Sequence, residues 1–227
     1  MNSLRDLINQ DIDREKYLDL SKNIYKESYF LENNYHKRKT NNNEHDFLKF
    51  KLISGMFPDA KKILIGGAAQ GNLISIFLKN GYDCHGFDPL YEFYPECFDS
   101  VCCEEIRSKM RPGFCEDIPF QTDDKFDLFF TSDVLEHIPQ NIIPIVSKEC
   151  RRMNFEKMIH VIGASEDLKE VGAYDGHLTF KSKEWWSDIF SKDGFTDITE
   201  KFVERKYWPI WEPALPGGIV YENSSSS

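Results

Sequence analysis

The chain has 227 residues, 41% of them hydrophobic and 29% charged, which suits one globular domain with a substantial core. Its formal net charge of −10 disfavours a broad nucleic-acid partner, because an acidic surface repels a phosphate backbone. The start, "MNSLRDLINQ", lacks the apolar stretch of a secretory signal, no apolar run approaches membrane-spanning length, and the six cysteines form no CxxC pair, so reduced thiols in a cytoplasmic protein are expected.

Residues 3–35 are polar with scattered Leu, Ile, Tyr and Phe, a pattern for one or two amphipathic helices. A loop is expected over 36–46 and a helix over 46–56, stopped near Pro58. From Lys62 the pattern becomes strand, turn, helix. Ile63 to Ile65 read as a buried strand, and residues 66–71 form a turn of small residues. Leu73, Ile76 and Phe77 then share one helical face, with Gly81 as the C-terminal cap. Cys84 to Phe87 is a second strand, followed by Asp88. Further on come an apolar run at 126–132, a helix opened by Pro144 and running to Met153, and a strand at 157–163. Ser182 is the N-cap of a helix with Trp185/Ile189 and Trp186/Phe190 pairs, ended by Gly194. Strands near 197–204 and 217–222 complete the order, and residues 223–227 read as a flexible tail. Alternating strands and helices predict an α/β fold, a parallel sheet with helices on both faces.

In such a sheet ligands sit at the carboxyl ends of the strands. Gly66, Gly67, Ala68 and Gly71 let the backbone approach a ligand closely, and the helix that follows offers free N–H groups. Asp88, at the end of the next strand, is placed to accept hydrogen bonds from ribose hydroxyls. No GK[ST] follows the turn, so a P-loop is not indicated.

Four segments together carry a resemblance. "ILIGGAAQGN" resembles the first motif of class I S-adenosylmethionine-dependent methyltransferases, "GFDP" their acidic post-motif, and "FDLFFTSDVLEHIP" their fourth-strand segment. "GHLTFKSKEWWSDIF" resembles the stretch between their fifth and sixth strands. The resemblance covers roughly 46–222 and implies a Rossmann-like, seven-stranded, mostly parallel sheet. It also implies S-adenosylmethionine as cofactor and S-adenosylhomocysteine as product. The segment 1–45 would then be a helical addition, a lid over the acceptor pocket.

Carried over residue by residue, Gly66, Gly67, Ala68 and Gly71 border the cofactor, and Asp88 its ribose. "GFCEDIPF" resembles a loop that meets the adenine amino group, so Cys115 and Glu116 are candidates there. Ser132 and Asp133 border the methionine end. The sequence departs from the pattern at Ile65, where an acid is usual, and at Ala69, where the second glycine is usual.

The sulfonium methyl is already activated, so alignment and a base for a hydroxyl acceptor are the remaining needs. His137 and His177 are the catalytic candidates. A divalent metal on Asp133, Glu136, His137 and His177 is the alternative, since small-RNA 2′-O-methyltransferases and some quinone-pathway enzymes carry a similar acid-x-x-Glu-His group. The acceptor is expected to be a small metabolite, such as a sugar or a quinone-like or natural-product molecule, methylated on oxygen. Neither nucleic acid nor membrane is an expected partner. A non-catalytic binding module, suggested by Ile65 and Ala69, and an NAD-dependent oxidoreductase stay open as other readings.

Overall fold

The computed structural model describes residues 7–24, 44–93, 104–163, 176–203 and 217–226. Expectations that fall on other positions, including most of 25–45, lie outside the described residues. Two helices precede the sheet, α1 (Arg14–Ile24) and α2 (Glu44–Met56). Then follow β1 (Lys62–Gly66), α3 (Asn72–Lys79), β2 (Asp83–Asp88), the short α4 (Leu90–Phe93) and α5 (Glu104–Ser108), and β3 (Met110–Pro112). The second half runs β4 (Leu128–Ser132), α6 (Ile143–Met153), β5 (Lys157–Val161), α7 (Lys183–Ser191), β6 (Phe195–Asp197), α8 (Glu200–Val203) and β7 (Gly218–Asn223).

The seven strands form one sheet in the order β3-β2-β1-β4-β5-β7-β6. β3 through β5 pair in parallel, and β7 is antiparallel to both β5 and β6. The sheet is Rossmann-like and mostly parallel. Side-chain alternation explains its two covered faces. Leu64, Phe129 and Met158 point to the side packed by α6 and α7, where Ile143, Val146, Cys150, Trp186 and Phe190 are buried. Ile63, Ile65, Leu128, Phe130 and Ile159 point to the other side, against Leu52, Ile53 and Met56 of α2 and Ile74 and Phe77 of α3. Both faces must be apolar in such a sheet, hence the near-continuous apolar runs of β1 and β4.

Several expectations shift. The strand expected near 197–204 lies earlier, at Phe195–Asp197, and Glu200–Val203 is helical. Asp197 Oδ1 accepts from both the backbone N–H and the hydroxyl of Thr199, which turns the chain out of the strand. The expected tail is not loose through Ser226: Ser224–Ser226 forms a 3-10 turn. Arg151 donates to Asn223 Oδ1 and Ser225 Oγ, and Ser224 N–H donates to the Gly194 carbonyl. The expected cap of α7 holds, with Ser182 Oγ accepting from Trp185 N–H at 3.4 Å.

The amino-terminal segment is knitted into the domain as far as it is described. Leu7, Ile12 and Tyr17 belong to the buried cluster under α6 and α7. Asn141 and Ile12 exchange two hydrogen bonds at 3.0 Å, and Asn9 exchanges two with Leu178 and Phe180 at 2.8 Å. No described helix is long and apolar enough to cross a membrane.

Candidate functional site

The strand order reverses between β1 and β4, and ligands bind in the crevice that such a reversal opens at the carboxyl ends. A cavity of about 250 Å³ lies there. Its wall includes Gly66, Gly67, Ala68, Asp88, Cys115, Ser132, Asp133 and His137. Most of the residues expected at a cofactor site therefore meet.

The turn after β1 is held in shape from both sides. Gly67 has φ 69°, and a Cβ there would fall 2.3 Å from Val134 Cγ2, so only glycine lets the turn lie against the exit of β4. Ala69 is also left-handed, at φ 46°, an unfavourable state for a residue with a side chain. Its N–H donates to Asp88 Oδ2 at 2.8 Å, and its carbonyl accepts from the Tyr91 hydroxyl. Asp88 Oδ1 accepts from Leu90 N–H at 2.9 Å. Desolvation raises the pKa of Asp88, and these two backbone hydrogen bonds oppose it. Gly71 is not on the cavity wall. It precedes α3, and a Cβ there would meet Ile106 and Met110, so this glycine serves packing against α5 and β3.

Beyond β3, Cys115 and Phe114 face the cavity. Burial, then the neighbouring charge of Glu116, holds the Cys115 thiol well above its ordinary pKa, so it is no nucleophile. Glu116 departs from expectation and is not on the wall. Asp117 N–H closes a tight turn onto the Phe114 carbonyl, and the Glu116 carboxylate lies 3.9 Å from Arg14 Nε of α1. Burial raises its pKa. α1 supplies Tyr17 and Ser21 to the cavity, both missed in the sequence.

At the exit of β4, Ser132 Oγ donates to Asp133 Oδ2 at 2.9 Å and accepts from Lys49 Nζ at 2.8 Å. Lys49 comes from α2, is only 7% exposed and lines the cavity, as does Asp46 one turn earlier. Lys49 was missed, although a signal existed: with Ile53 and Met56 it makes an i, i+4, i+7 stripe of buried positions, and a lysine in an apolar stripe is unusual.

Glu136 and His137 form a 3-10 turn with Leu135. Glu136 is fully buried and is not on the cavity wall. Its Oε1 accepts from Gly163 N–H at 2.6 Å, and its carbonyl accepts from Leu178 and Thr179 N–H. Burial, reinforced by the charge of Asp133, pushes its carboxyl up to about 8. Oε2 has no hydrogen-bond partner among the described residues, which fits a protonated acid better than a bare carboxylate. His137 lines the cavity, with His177 packed edge-on behind it, ring centroids 4.6 Å apart. Burial, and then repulsion from His177, lowers the His137 pKa to about 3, so its ring is neutral. The alternative metal set is not assembled. Among the described residues no three His, Cys, Asp or Glu side chains are arranged to hold an ion, and Glu136 Oε1 is taken by Gly163 N–H.

No family model and no curated protein matches the chain. Solved structures do. A TehB-like SAM-dependent methyltransferase from Corynebacterium glutamicum superposes with TM-score 0.54 at 17% identity, covering 78% of this chain and 87% of that one. The methyltransferase domain of bacterial CtHen1-C superposes with TM-score 0.54 at 19% identity, covering 79% and 97%. This chain has the class I methyltransferase fold. A geranyl diphosphate methyltransferase, solved with GPP and sinefungin, shares the same methyltransferase fold at TM-score 0.53 and 13% identity, over 79% and 76% of the two chains.

Proposed function

We propose that the chain is an S-adenosylmethionine-dependent methyltransferase acting on an oxygen of a small metabolite, a sugar or a quinone-like or natural-product acceptor. The observation that carries this reading is the β1 turn braced by Asp88 at the point where the strand order reverses. The residues present fit the cofactor. Asp88 uses one lone pair on each oxygen for the turn and retains acceptor capacity for ribose hydroxyls. Gly67 and Ala68 offer main chain without bulk, and Cys115 borders the same cavity for the adenine. Ser132 and Asp133 stand at the exit of β4 for the methionine end. When bound, the cofactor supplies an electrophilic methyl on a sulfonium.

The chain's own contribution is then alignment and water exclusion. Tyr17, Ile138 and Val134 narrow the cavity with apolar surface. The neutral His137 ring is suited to orient an acceptor hydroxyl by a hydrogen bond, with His177 fixing its plane. A pKa near 3 makes it a weak base, so an acceptor whose hydroxyl is already acidic, such as a phenol, suits it best. Calorimetry with S-adenosylmethionine, S-adenosylhomocysteine and NAD tests the cofactor, and a labelled-methyl screen of small-molecule extracts tests the acceptor. Binding of NAD and not of the adenosyl sulfur compounds would overturn the reading.

A further inference from the structure

We infer that Lys49 recognises the α-carboxylate of the cofactor's methionine end, a role that rests on reading the cavity as an S-adenosylmethionine site. The argument is one of charge matching. Four charged side chains line the cavity among the described residues: Asp46, Lys49, Asp88 and Asp133. Three are acids, and Lys49 is the one Lys or Arg. The ligand carries two cationic centres, an ammonium and a sulfonium, and one carboxylate. Its single anion has one cation to meet.

The placement agrees. Asp88 stands at the end of β2, committed to the turn and the ribose side. Lys49 stands at the exit of β4, with its Nζ 2.8 Å from Ser132 Oγ and, through that hydroxyl, linked to Asp133. The two ends of the cavity thus differ in chemistry. β1 ends in the buried apolar Ile65 and Gly66, so that strand brings no charge to the amino-acid group. α2 supplies it instead, with Asp46 and Lys49 one helical turn apart on the same face. An acid and a base at that spacing complement a zwitterion, Lys49 taking the carboxylate and the acids the ammonium. An ammonium only 7% exposed is costly to bury, and the acids on the same cavity wall offset that cost.

The test compares three ligands on the wild-type protein and on Lys49→Met and Lys49→Arg variants by calorimetry: S-adenosylmethionine, its decarboxylated analogue, and 5′-methylthioadenosine, which lacks the whole amino-acid tail. Wild type should bind S-adenosylmethionine about 10- to 100-fold more tightly than the decarboxylated analogue. Lys49→Met should lose that preference by weakening S-adenosylmethionine alone, with methylthioadenosine affinity unchanged. Lys49→Arg should retain most of it. Equal wild-type affinity for the acid and its decarboxylated analogue would overturn the inference while leaving the adenosyl site standing, and it needs no variant to fold. An undiminished preference in a folded Lys49→Met protein would overturn it too. Failure of all three ligands to bind wild type would remove the cofactor reading and the role of Lys49 with it.

Discussion

Asp88 and Ala69 are bound to each other across the sheet's reversal. The carboxylate at the end of β2 accepts the N–H of the residue that is forced left-handed in the turn after β1, at 2.8 Å. One side chain therefore shapes the turn and borders the cavity. Asp88→Ala should lower S-adenosylmethionine affinity by about 1–3 kcal/mol, through lost ribose acceptors and a loosened turn. Calorimetry on a folded variant that shows unchanged affinity would remove Asp88 from the site.

Ala69 occupies backbone space that glycine takes without strain. Ala69→Gly should relieve that strain, offset by the greater freedom of glycine in the unfolded chain, for a net gain of up to about 1 kcal/mol. Chemical denaturation measures it. A loss of stability would mean that the Ala69 methyl contributes packing that outweighs its conformation.

Glu136 sets a pH dependence of known sign. Its folded pKa of about 8 lies above the ordinary 4.5, so the folded state holds a proton that the unfolded chain releases. The stabilisation tied to that proton is full below pH 4.5 and is lost as the pH rises towards 8. Glu136→Gln has no proton to lose and keeps the acceptor for Gly163. Its stability relative to wild type should improve between these limits by up to about 1.4 kcal/mol per pH unit. A difference that stays constant with pH would show Glu136 ionised at neutrality.

His137 acts at the opposite end. Its folded pKa of about 3 lies below the ordinary 6.5, so the unfolded chain takes up a proton that the folded chain refuses. Stability falls as the pH drops from 6.5 towards 3, and a His137→Gln variant should lose less over that interval. Equal acid sensitivity in urea titrations at pH 4 and pH 7 would assign the loss to other groups.

The amino-terminal segment is both wall and core. Ile12→Ala should cost about 2–4 kcal/mol, as expected for a side chain that is 2% exposed. Asn141→Ala, which removes both bonds to Ile12, should cost about 1–3 kcal/mol. If both variants unfold at the wild-type midpoint, the segment is a lid alone.

The parts legible in the sequence are those where local chemistry and tertiary role coincide. The β1 turn needs small residues for its own conformation, so Gly67 and Ala68 stand out before any partner is known. The apolar runs of β1 and β4 follow from burial on both faces. Lys49 stands out in the sequence only as a lysine on an apolar stripe, because the Ser132 it bonds is 83 positions away. Glu116 was misplaced because a tight turn between Phe114 and Asp117 decides where its side chain goes. β3 is three residues long and ends in Pro112, which an edge strand tolerates and a strand pattern hides. Asp197 reads as one residue of a strand until its bonds to Thr199 are seen to end it.

The longer-range of the two Asn9 bonds joins positions 171 residues apart, and those of Ile12 close a separation of 129. Tyr17 and Ser21 follow directly and form part of the cavity wall. On a ribosome α1 emerges before β1, its turn and β2, but the positions that anchor its segment, Glu116, Asn141 and finally the Leu178–Phe180 stretch, follow much later. Long-range closures of this kind form late and slow the folding of the segments that wait for them. The nascent protein should therefore own a ligand turn well before it owns a ligand pocket, and binding competence should arrive only with the last quarter of the chain.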